Sequence, residues 1–129
     1  MKREIKFRAK RKGWNNWIYF DLRKEIESDG QPSEFMMYNL DQDTVQQFTG
    51  LYDINGKEIY EGDTVRWGHL PNSKEFWHRI AIVEINPDIQ FRILYYINSV
   101  TGDKNDSDGH IFHYGNFAYK NTEKYLEIV

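Results

Sequence analysis

Seven cations crowd the first twelve residues. Lys2, Arg3, Lys6, Arg8, Lys10, Arg11 and Lys12 stand against Glu4 alone, a local charge of +6. Trp14 and Trp17 follow directly. Lysines and arginines interleaved with rings suit a single-stranded nucleic acid, whose phosphates meet cations while its bases stack. The opposing account is a solvated strand face whose charges blunt an exposed sheet edge. From residue 13 onward the chain holds ten basic and nineteen acidic side chains, a net −9 that repels a nucleic-acid backbone. The solvated face is therefore favoured. Lys6, Arg8, Lys10, Arg11 and Lys12 are the candidate contacts of the alternative.

Other chemistry-bearing groups are less complete. Glu58, Glu61 and Asp63 gather in a turn-rich stretch, and carboxylates buried together can split their pKa values for acid/base work. An Asp after Gly62 more simply bonds turn backbone N–H groups, and that reading is preferred. His110 and His113 are three apart, which on a strand sends them to opposite faces. A zinc site without Cys would also need His69, His78 or a carboxylate to converge. The acidic run Asp103 to Gly109 superficially resembles a calcium loop. Aligned on Gly109, it puts Lys104 at the first ligand position and Gly115 at the twelfth, where carboxylates belong. There is no Cys, no G-x-S-x-G, no G-x-G-x-x-G and no G-x-x-x-x-G-K. The expectation is a protein with no catalytic residue, no cofactor and no metal. It is not read as an enzyme.

The elements that must position these groups are strands. Aromatic residues reach 16% of the 129 positions, a surplus that favours pleated, half-buried surfaces. Ile5 to Ala9 alternates apolar and cationic residues, and Trp17 to Leu22 alternates again, so the two predict a hairpin across the polar stretch 10–16. Further strands are expected at 34–40, 44–48, 57–60 and 64–67. Between them Gly50, Asn55-Gly56 and Gly62-Asp63 mark turns, with Asn55-Gly56 expected at the centre of a tight type I′ hairpin. Phe76 to Ile85 and Gln90 to Ile97 predict an antiparallel pair across Asn86-Pro87-Asp88, with Phe91, Ile93, Tyr95 and Ile97 on one face. Ile111 to Tyr114 is a last strand, and Asn121 is positioned to cap a short helical turn at 122–126. Strands at this spacing with Gly-rich turns suggest a small antiparallel barrel. No run approaches the roughly 20 apolar residues of a membrane span, and the basic start lacks a signal peptide's apolar stretch. Without Cys, a reducing cytoplasm is the expected location.

The stretch Gln47-Phe48-Thr49-Gly50-Leu51-Tyr52-Asp53-Ile54-Asn55-Gly56-Lys57-Glu58-Ile59-Tyr60-Glu61-Gly62-Asp63-Thr64-Val65 closely resembles the hallmark of the YopX family of bacteriophage and prophage proteins. Ile5 to Ala9 with Trp17 to Leu22 is similar to that family's opening. Gly115-Asn116-Phe117, Asn121 and Glu123 resemble its closing segment, with Thr122 where the family often has Pro. The resemblance implies a mainly β fold with an SH3-like small barrel in the C-terminal part, and a phage protein in a bacterial host's cytoplasm. It carries no established activity.

The combined reading is a single mainly β domain, 1–129. An N-terminal β-hairpin region (1–46) leads into a small antiparallel SH3-like barrel (47–129). Gly50, Asn55, Gly56, Gly62, Asp63, Gly115 and Asn116 are architectural, and Leu51, Ile54, Ile59 and Val65 are core candidates. The expected function is a non-enzymatic accessory module that binds a protein partner or itself. Nucleic acid is the less favoured partner, and no membrane is expected.

Overall fold

In the computed structural model the described residues are 5–21, 40–70, 76–116 and 121–129. They are mainly β and form two antiparallel sheets. The chain divides into two compact units, Met1–Gly50 and Leu51–Val129.

In the first unit, alternation makes the hairpin. Strands β1 (Lys6–Arg11) and β2 (Trp17–Asp21) pair antiparallel, with Phe7 opposite Phe20 and Ala9 opposite Ile18. Those four side chains share one face, where Ala9, Phe20 and Leu40 are buried and Phe7, Ile18 and Val45 pack against them. The Phe7 and Phe20 rings stack with centroids 5.6 Å apart. Strand β3 (Leu40–Tyr52) lies on the other side of β1. Its register slips between Arg8 and Lys10. There the Thr44 hydroxyl accepts the Lys10 N–H at 2.8 Å and donates to the Asp41 carbonyl at 2.7 Å, replacing ladder bonds that the slip removes.

This strand corrects the expected pattern. It covers 13 residues, where the sequence suggested a strand at 44–48 ended by Gly50. Gly50 lies inside it at φ +85°, a conformation glycine adopts without a Cβ penalty, and so does not end it. Of the strand expected at 34–40, residues 34–39 lie outside the described residues; Leu40 opens β3.

The second unit contains β4 (Glu58–Tyr60), β5 (Thr64–Trp67), β6 (Trp77–Ile85), β7 (Ile89–Asn98), β8 (Lys104–Asp106), β9 (Ile111–His113) and β10 (Glu127–Ile128). Two single-turn 3₁₀ segments, Tyr114–Asn116 and Thr122–Lys124, lie between β9 and β10. The strand orders are β2-β1-β3-β4 and β10-β5-β6-β7-β8, with β9 also beside β7. Among the described residues the expected barrel does not close: neither sheet closes on itself, and the second ends in the short strands β10 and β8.

Its core is Ile59, Val65, Trp67, Ala81, Val83, Phe91, Ile93 and Leu126. Ile59 and Val65 are fully buried in it, Leu51 packs at its margin, and Ile54 lies half-buried outside the cluster. The β6–β7 pair also differs in detail from simple alternation. Ile80 faces Tyr95 but Ala81 faces Ile93, so Leu94 is an extra residue on β7, 37% exposed. Beyond this bulge the inward face changes parity. Phe91 and Ile93 point into the core, and then Tyr96, not Tyr95, rejoins it. Asn121 precedes the second 3₁₀ turn without a side-chain capping bond. Thr122 does the fastening there, its buried hydroxyl donating to the Tyr52 carbonyl at 2.9 Å.

Candidate functional site

Strand β1 extends to Arg11, which places Lys10 in the strand and not in the turn. Lys6, Arg8 and Lys10 therefore alternate on the face opposite the Phe7/Ala9 core, across from Asp21, Tyr19 and Trp17 of β2. The Arg8 guanidinium lies 4.3 Å from the Trp17 ring centroid and the Lys10 ammonium 4.9 Å, so one indole holds both cations. Arg8 Nε also donates to Gln46 Oε1 at 2.8 Å. Lys6 sits 5.6 Å from the Phe48 ring. Arg11 has the opposite parity and lies 5.1 Å from Trp14, while Lys12 is exposed in the turn. The structure thus gathers three of the five candidate cations on one face and leaves two at its end. Trp14 is 59% exposed and Tyr19 53%.

The motif turns serve the backbone. Gly56 N–H donates to the Asp53 carbonyl at 3.0 Å, so Ile54 and Asn55 are the central residues of that turn, and Gly56 follows at φ +77°. This is a three-residue hairpin loop, not the two-residue turn expected at Asn55-Gly56. Gly56→Val, which forces a β-branched residue to positive φ, is expected to cost more than about 1 kcal/mol in a urea titration. An unchanged midpoint would contradict this geometry.

Asp53 is the residue sequence reasoning missed. It is 1% exposed, and its Oδ1 accepts the N–H groups of Asn55 and Lys57, each at 2.9 Å. Oδ2 accepts the N–H of Ile128 at 3.1 Å, tying the turn to β10. An Asp two residues before Asn-Gly is itself the signal, because Asx side chains bond backbone two residues on. Asp63 Oδ2 accepts the Tyr60 N–H at 2.8 Å, and Gly62 N–H donates to the Val83 carbonyl at 2.8 Å. Glu58 Oε1 accepts the Tyr60 hydroxyl at 3.2 Å, and Glu61 is half-buried beside them. Gly115 and Asn116 fall in the 3₁₀ turn after β9.

His110 precedes β9 and His113 ends it, and both stay on the surface. A different pair meets. β5–β6 pairing brings His69 and His78 to a ring separation of 6.1 Å. His78 Nδ1 is 3.2 Å from Ser99 Oγ, and His69 Nε2 is 3.9 Å from Glu127 Oε1, which is held by Arg66 in an ion pair. Burial, then the Arg66 charge, lowers the pKa of both imidazoles; for His69, His78 lowers it further and Glu127 partly offsets the effect. Among the described residues no three His, Asp or Glu side chains form a group that could hold a metal.

A base with a lowered native pKa binds fewer protons folded than unfolded, so stability is full above the unfolded value of 6.5 and is lost as pH falls below it. The urea midpoint is expected to drop between pH 8 and pH 5. The double variant His69→Gln/His78→Gln is expected to show a flatter profile. Equal slopes for both proteins would contradict this.

Among the described residues no helix is long and apolar enough to cross a membrane. No curated protein matches the chain. The family model described as YopX protein matches residues 6–123, which include the β1–β2 face, the Asp53 turn and the Asp63 turn, and so the chain belongs to the YopX family.

Proposed function

We propose that the protein is a non-enzymatic accessory module of a bacteriophage or prophage, working in the bacterial cytoplasm. It docks a protein partner or a second copy through the β1–β2 face, and uses no cofactor or metal. The observation that supports this is the pairing of rings and cations on that face. Tyr19, more than half exposed, lies across from Arg8 on it, and Trp14, also more than half exposed, lies with Arg11 at its end. Trp, Tyr and Arg are the residue types that carry most of the energy of protein interfaces. The motif carboxylates are engaged with backbone and Tyr60, which fits architecture better than proton transfer.

A second reading, single-stranded nucleic acid, draws on the row Lys6, Arg8 and Lys10. One experiment separates the two. The tagged protein and its Arg8→Glu/Lys10→Glu variant are used for affinity capture from phage-carrying cells, with and without nuclease. The docking reading expects nuclease-resistant protein capture that falls at least about tenfold in the variant, as charge reversal at an interface does. Nuclease-sensitive capture would favour the second reading. Capture unaltered by the substitutions would remove both.

A further inference from the structure

The β1–β2 face is mixed in sign. Lys6 lies opposite Asp21 and Lys10 opposite Asp41, with Arg8 between them. A polyanion meets repulsion at both carboxylates with every phosphate of its backbone, and a protein segment with two or three acids meets less of it. The Trp17 ring already carries Arg8 and Lys10, so a nucleobase stacking on it must displace both.

The chain itself contains a segment of the complementary kind. In Asp103-Lys104-Asn105-Asp106-Ser107-Asp108 every residue but Ser107 is exposed, and β8 within it is the last strand of its sheet order. Asp106 and Asp108 are two residues apart, as are Arg8 and Lys10. In the extended backbone of β1 that spacing is about 6.8 Å, and Asp106 at the end of β8 with Asp108 just beyond it offers two acids to the two cations.

We propose that the occupant of the face is a second copy of this chain, whose segment 103–108 docks on β1–β2. The contact is heterologous: each copy offers one face and one segment, so copies add head to tail, into a ring or an open filament. This rests on the docking reading of the face given above, and narrows it to one partner.

The test is light scattering of the full chain over a range of concentrations. The wild type is expected to rise above monomer mass with concentration. The association should weaken by about tenfold or more between about 0.05 M and about 0.5 M salt. Arg8→Glu/Lys10→Glu and Asp106→Lys/Asp108→Lys are each expected to stay monomeric alone. An equimolar mixture of the two should associate again, because each supplies the charge that the other lacks. Arg8 is half-buried, so Lys6→Gln/Lys10→Gln serves as a gentler face variant, with circular dichroism confirming that it folds. It should lower the associated fraction too. A monomer mass at every concentration, or association indifferent to both charge reversals, would overturn the proposal. So would a mixture that stays monomeric. If self-association fails while host-protein capture still depends on Arg8 and Lys10, only the second-copy assignment falls and the docking reading stands.

Discussion

Replacing Asp53 with alanine is expected to lower the folding free energy by about 4 kcal/mol, because three backbone N–H groups in part-buried bonds lose their acceptor at once. Each such bond contributes roughly 1.5–3 kcal/mol, and part of the loss is recovered where water reaches the turn. A small domain has about 5–15 kcal/mol in total, so the loss is a substantial fraction of it. Asp53→Asn keeps one acceptor oxygen but turns an NH₂ toward donors, and should cost about half as much or more. The urea midpoint at constant slope measures both. A midpoint within error of wild type for Asp53→Ala would mean that the turn and β10 are held by other bonds.

Trp67→Ala is expected to cost about 3–5 kcal/mol, the usual range for emptying a large aromatic from a core. Trp67 is 2% exposed. Its indole meets Phe91 and Phe112 edge-on, with centroids 5.9 Å and 5.7 Å away, and the Arg79 guanidinium lies 5.8 Å from it. Truncation therefore removes contacts on several sides, and Arg79 keeps only one of its two aromatic neighbours, Phe112. Trp67→Phe keeps a ring and should lose markedly less. Equal midpoints for Trp67→Ala and Trp67→Phe would show that the site collapses around either residue.

Much of the fold was legible where polarity alternates cleanly. Phe7 and Ala9 against Ile18 and Phe20 define the first hairpin and its core face from sequence alone. What failed did so for local reasons. Gly50 marked a turn by composition, but a glycine at positive φ also fits inside a strand, and β3 runs through it. Leu94-Tyr95-Tyr96 offers apolar or aromatic residues at every position, so nothing in the pattern announces the bulge that swaps Tyr95 for Tyr96. Barrel closure depends on edges meeting in space, and strand spacing carries no information about that. The cationic face was half legible. Lys6 and Arg8 alternate within the strand that the sequence predicts, while Lys10 joins them because β1 runs on to Arg11. His69 and His78 are nine residues apart and meet through β5–β6 pairing, a proximity that no spacing rule in the sequence signals.

The central claim is that the protein acts by docking through the β1–β2 face. Its most direct measurement is photocrosslinking in phage-carrying cells, with a photoreactive amino acid at Tyr19 and, separately, at Val129, which are similarly exposed at 53% and 57%. The account predicts protein adducts from position 19, joined to the 103–108 segment where the partner is a second copy, and few from position 129. Adducts from position 129 with none from position 19 would contradict it.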